Sequence, residues 1–169
     1  MRARESSVQM SDPGYFRGAH GNDARGFTLI ELLLALVVAA TLLTLALSSY
    51  SSYMERAKVS RAEADLNTIE RRISLYQTTN GALPASLSQI GEQNLLDPWG
   101  NPYQYLDFDG LKGKGAMRKD RNLVPINSDY DLYSDGQNGA TLPPVIAPVS
   151  RDDVIRANNG GFVGLASDY

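Results

Sequence analysis

Two turn-rich segments near the C-terminus carry four Asp and Asn side chains. Asp135 and Asn138 belong to Asp135-Gly136-Gln137-Asn138-Gly139, and Asp152 and Asp153 to Ser150-Arg151-Asp152-Asp153. Carboxylates and amide carbonyls are hard donors. Calcium takes about six to eight such oxygens, main-chain carbonyls included, and irregular loops have carbonyls to offer. A cation gathered by both segments would pin them together. The plainer reading is that Asp and Asn in turns hydrogen-bond their own backbone. The spacing is not that of an EF-hand, because Asp129 and Asp131 are followed by Tyr133 where that loop takes Asp or Asn. A second stretch with chemical content is Arg25-Gly26-Phe27-Thr28-Leu29-Ile30-Glu31-Leu32. It sets a lone carboxylate, Glu31, inside the start of a long apolar run.

The remaining composition narrows the chemistry. The 169 residues contain no cysteine and one histidine, His20. A disulfide framework, a thiol nucleophile and a cysteine-based zinc site are therefore excluded, and a Ser-His-Asp arrangement has only His20 to draw on. The net charge of -3 gives no overall attraction to nucleic acid. A length of 169 residues suits one modest domain with an appended segment.

That segment is Phe27 to Leu47, with no Gly or Pro and Glu31 as its only charge. As a helix it would be roughly 31 Å long, about the thickness of a hydrocarbon core. It is longer than the apolar core of an ordinary signal peptide. A plain membrane anchor leaves Glu31 without a purpose, since a charge in the bilayer costs about 2.5–3.5 kcal/mol at mid-depth. A third reading uses every residue. Gly26 presents an accessible scissile bond, and a cut after it frees the Phe27 amine. Glu31 then lies about one helical turn away. It is favoured by the helix dipole within its own chain, and between chains it can neutralise a neighbour's Phe27 amine inside an apolar bundle.

The helix is expected to continue to about Thr78 and to end at Asn80-Gly81 and Pro84. Val59, Ala62, Leu66, Ile69, Ile73 and Tyr76 form one apolar stripe at helical spacing. The opposite face carries Glu55, Arg56, Arg61, Glu63, Asp65, Glu70, Arg71 and Arg72 and reads as solvated. From Pro84 onward Gly, Pro, Asn and Asp become frequent, which predicts short strands and long loops. Leu87, Ile90, Leu95 and Leu96 read as a short helical or turn segment. Asp97-Pro98-Trp99-Gly100-Asn101 reads as a turn with Trp99 as a core anchor. Tyr103 and Tyr105 alternate as in a strand, and residues 127–134 read as another strand. The basic, glycine-rich stretch 110–122 reads as a solvated loop. It has no interleaved aromatic residues, so no nucleic-acid partner is expected. The fold class is therefore α+β: a long N-terminal helix, apolar then amphipathic, packed on a small antiparallel sheet with long C-terminal loops.

Gly26-Phe27-Thr28-Leu29-Ile30-Glu31 followed by the apolar run resembles the class III signal of type IV pilins and type II secretion pseudopilins. The stretches DPWGNPYQY, YDLYSDGQNG and SRDD resemble the head of the major pseudopilin of type II secretion. The resemblance implies a leader over 1–26, a transmembrane or filament-core helix over 27–48, its amphipathic continuation over 49–80 and a head over 81–169. It implies that a prepilin peptidase cuts between Gly26 and Phe27 and methylates Phe27, and that Glu31 is the assembly carboxylate. Met10 offers a second start within the leader. In the head it implies calcium, held by the Asp135 carbonyl and the side chains of Asn138, Asp152 and Asp153. Asn138 stands where the family usually has Asp, one charge fewer.

The expected function is that of a subunit of a periplasmic pseudopilus. The expected partners are other copies of the chain, the peptidase, an inner-membrane assembly platform, minor pseudopilins and membrane lipid. The expected location is the bacterial inner membrane with the head in the periplasm. A type IV pilin for adhesion, motility or DNA uptake is the near alternative. A membrane-anchored enzyme is the distant one, with no nucleophile motif behind it.

Overall fold

A computed structural model describes residues 26–169, without the side chains of Ser48 and Ser49. The leader expected before Gly26, with His20 and Met10, lies outside the described residues. Two units divide the chain, Met1–Leu43 and Thr44–Tyr169. A single helix, α1, Leu29–Asn80, has residues in both.

In the first unit α1 opens on a reciprocal cap. The Thr28 main-chain N–H and hydroxyl both donate to Glu31 Oε2, at 2.9 and 2.9 Å, and the Glu31 N–H donates to Thr28 Oγ1 at 3.3 Å. This is a capping box, in which two otherwise unpaired donors of the first turn are satisfied. Each described apolar side chain from Phe27 to Leu43 is exposed, and the same holds on to Leu47. The window is long and apolar enough to cross a membrane.

In the second unit α1 becomes the base of a head. Its end is where Asn80-Gly81 places it: Gly81 has φ 75°, and its N–H donates to Gln77 O at 2.8 Å. A left-handed glycine at this position closes the last turn at no steric cost. A 3₁₀ turn follows at Leu87–Ile90. Four strands, β1 (Gln104–Asp107), β2 (Tyr130–Ser134), β3 (Val154–Ala157) and β4 (Phe162–Leu165), form an antiparallel meander in that order. The β3–β4 connection is Asn158-Asn159-Gly160-Gly161, with φ near 52°, 55° and 88° at the first three. Asn and Gly tolerate such angles, which is why this sequence turns here.

The sheet is buried on both faces. Ala62, Leu66, Ile69 and Ile73 of α1 pack with Leu87, Tyr103, Tyr130, Leu132 and Val154. The predicted helical stripe is therefore the core stripe, with Val59 and Tyr76 at its half-buried margins. The alternate strand positions, Tyr133 and Ile155, join Ile126, Val145, Ala157 and Ala166 on the other face. Loops, not a second helix, cover that face.

The candidate functional sites: the N-terminal signal and the C-terminal loops

At the N-terminus the structure keeps Gly26 and Phe27 exposed, and a Cβ placed on Gly26 would touch nothing within 4 Å. Glu31 is held by Thr28 of the same chain. Thr28 is a functional neighbour that the spacing reading passed over, although Thr-x-x-Glu before an apolar run is a visible sign of a capping box.

The charged face of α1 is not simply solvated, which corrects the reading from composition. Glu55 accepts from the Trp99 indole N–H at 2.9 Å, Asp65 from the Tyr103 hydroxyl at 2.9 Å, and Glu70 from Arg156 Nε at 2.8 Å. Arg72 pairs with Glu92 at 2.8 Å. Arg156 also clasps both Asp129 oxygens at 2.9 Å and lies 4.1 Å above the Tyr130 ring. These polar rungs tie the helix to the head at positions apart from the apolar stripe.

The two acidic segments do converge. The Asn138 main-chain N–H donates to Asp152 Oδ2 at 2.9 Å, and its amide nitrogen donates to Asp152 Oδ1 at 2.6 Å and Val149 O at 2.8 Å. Asn138 Oδ1 in turn accepts from Ala140 N–H at 2.7 Å. Gly136 permits the approach, because a Cβ there would lie 2.2 Å from the Asp152 carbonyl oxygen. The upstream turn is joined to the same place. Asp97 accepts from Trp99 N–H, Asn101 N–H and the Ser134 hydroxyl, and Asn101 donates to Gly136 O at 2.9 Å.

Asp135 and Asp153 are placed differently. Asp135 Oδ2 accepts from Gln104 at 3.0 Å. Asp153 is fully buried, and its Oδ2 accepts from Arg118 Nη2 and the Thr141 hydroxyl, both at 2.5 Å. Burial pushes the Asp153 carboxyl up to about 6, against the lowering effects of Thr141 and Arg118. Burial also raises Asp135, against the lowering effects of Gln104 and Arg118. Oδ1 of Asp135, Oδ1 of Asp153 and Nε of Arg118 are buried with no hydrogen-bond partner among the described residues.

Arg118 is the larger correction. It belongs to the stretch read as a solvated basic loop, and residues 111–116 of that stretch are exposed, yet its side chain is only 2% exposed. A buried guanidinium leaves no trace in local composition.

Three of the four donors expected for calcium are already engaged in this arrangement. Both Asp152 oxygens and the Asn138 carbonyl oxygen are taken by N–H donors, and Asp153 already faces a cation. Among the described residues no three carboxylate or imidazole side chains gather as a metal-ligand group.

Comparison with known proteins bears on both sites. Residues 21–47 match the family described as the prokaryotic N-terminal methylation motif, which spans the Gly26–Phe27 bond and Glu31. The chain is 31% identical over 137 residues to the type II secretion system core protein G of Pseudomonas aeruginosa, covering 68% of this chain and 84% of that protein. It is 30% identical over 135 residues to the protein of the same name from Klebsiella pneumoniae, covering 77% and 91%. A fimbrial protein of Neisseria meningitidis serogroup A is 25% identical over 136 residues, covering 80% of each. No solved structure matches significantly. A methylation signal before an exposed apolar helix, a long helix under a four-stranded meander, and likeness over most of the length of these proteins agree: the chain belongs to the family of type II secretion system core protein G.

Proposed function

We propose that this chain is the structural subunit of a periplasmic pseudopilus, the filament that moves folded proteins through the outer membrane in type II secretion. The observation that carries the proposal is the exposed apolar helix from Phe27 to Leu47 with a single carboxylate near its start. Such a surface must be covered. Lipid covers it while the subunit stands in the inner membrane with its head in the periplasm, and other copies cover it in the filament. A peptidase removes the leader after Gly26 and methylates Phe27. An assembly platform and minor pseudopilins organise the filament. The chain's own part is to pack, and the reading assigns it no catalysis.

The family's calcium remains, for this chain, an expectation of the resemblance. The unpartnered oxygens of Asp135 and Asp153 support it, and Arg118 opposes it.

Mass spectrometry of the N-terminal peptide from membrane-extracted protein tests the reading. A peptide beginning with N-methylated Phe27 is expected. A peptide beginning near Ser48 would make the helix a discarded signal and overturn the filament. The likeness to the fimbrial protein favours a second reading, a surface pilus. Deleting the gene separates the two: loss of exported proteins from the medium supports the pseudopilus, and loss of surface filaments with secretion intact supports the pilus.

A further inference from the structure

Of the donors that calcium would need in the C-terminal loops, Asp153 is engaged by another cation, and Asn138 and Asp152 are engaged by N–H donors of the loops themselves. We propose that the Arg118 guanidinium is the resident cation of this head, so that its C-terminal loops are held without a divalent metal.

The geometry of Arg118 carries the inference. Its Nη2 reaches the Asp153 carboxylate at 2.5 Å, and its Nη1 reaches the Leu142 carbonyl at 3.0 Å and the Thr141 hydroxyl. One carboxylate, one carbonyl and one hydroxyl are the oxygen types that a calcium ion collects. Here they converge on a planar fork that already carries positive charge. The fork lies 4.3 Å above the Tyr133 ring, so the π face of a β2 side chain covers one side of it.

The main chain fixes Arg118 at this point. Its N–H donates to Asp131 Oδ2 at 2.6 Å, and its carbonyl accepts from Ile126 N–H at 3.0 Å. The next residue joins the opposite loop, with Lys119 N–H donating to Pro143 O at 3.0 Å and Val145 N–H to Lys119 O at 2.9 Å. Residues 118–126 are thereby laced to residues 141–153, which include Asp152 and Asp153 of the expected donors. A second positive charge beside the guanidinium would be repelled, and the Asp153 charge is already matched.

The test uses the full chain in detergent micelles, with unfolding followed through Trp99, its single tryptophan. Wild-type protein is melted in excess chelator and in millimolar calcium. The two Tm values are expected to agree within about 1 °C, since no metal enters the folded state. A Tm that falls in chelator overturns the proposal. Arg118→Met is expected to melt at least about 10 °C lower, because it leaves Asp153 buried and unpaired. It is also expected to recover part of that loss on adding calcium, which can then approach Asp153 and Asp135. An Arg118→Met protein that melts like wild type overturns the proposal. Should that variant fail to fold, calcium titration calorimetry of the wild-type chain decides: absence of saturable heat supports the resident guanidinium, and saturable binding overturns it.

Discussion

Asp131 is a buried carboxyl whose two hydrogen bonds both come from neighbours with other duties. Its Oδ2 takes the Arg118 N–H at 2.6 Å and its Oδ1 takes the Asn127 amide at 3.0 Å, while that amide also holds the Arg156 carbonyl at 3.0 Å. Burial raises its pKa above the ordinary 3.8. The two hydrogen bonds and the Arg118 charge oppose the rise, and the Asp129 charge adds to it. A carboxyl with a raised folded value binds its proton more readily in the folded state. Its contribution is therefore fully present below 3.8 and is lost as pH rises through the folded value. Asp131→Asn should remove that slope, as urea unfolding at a series of pH values would show. At neutral pH it should also cost about 1–3 kcal/mol, because the new amide must turn an N–H toward one of two existing donors. A slope equal to that of wild type would assign the pH dependence elsewhere.

At the scale of elements, α1 is bound to the head in two ways, and the sequence showed only one of them. Leu66, Ile69 and Ile73 repeat at helical spacing, so the apolar seam could be read directly, and all three are buried. Ile69→Ala should cost about 2–5 kcal/mol in a chemical unfolding experiment, the usual penalty for a cavity in a packed core. The polar rungs could not be read, because Glu55, Asp65 and Glu70 look like any solvated helix face until Trp99, Tyr103 and Arg156 reach them from residues 44, 38 and 86 positions away. The strongest rung is Arg156, 3% exposed and shared by Glu70 and Asp129, which are themselves 21% and 33% exposed. Arg156→Met should lower stability by about 2–3 kcal/mol, less than the full penalty of breaking a buried pair because water reaches both carboxylates. Glu70→Gln should cost under about 1 kcal/mol. Equal losses in the two variants would mean that Arg156 acts only through Glu70. The β3–β4 hairpin is a different case. Asn158-Asn159-Gly160-Gly161 between VIRA and FVGL is a hairpin signal, legible but passed over. The Arg118 node was hidden for a stronger reason: burial of a charge is decided by tertiary partners far along the chain, and the glycine- and lysine-rich residues 111–116 just before it are exposed.

For the molecule as a whole, the proposed function gives the question raised by Glu31 two answers that operate at different stages. Within one subunit the carboxylate closes the capping box with Thr28, so the charge is not orphaned while the helix stands alone. Cutting before Phe27 leaves Thr28 and Glu31 intact and adds a free amine next to them. In a bundle of exposed apolar helices, an amine from one copy and a carboxylate from another can then fix the register. On that proposal, membrane insertion and filament assembly place opposite demands on this one residue. Glu31→Ala should insert at least as well as wild type, since it removes a charge that opposes entry into the bilayer. It should assemble far worse, because an apolar helix without the pair has no preferred axial position. Membrane fractionation should show the variant at wild-type level, and sedimentation of sheared filaments should show at least about a ten-fold loss. Filaments at wild-type yield would mean that the carboxylate serves only the cap, and that the register is set by the apolar surface or by the heads.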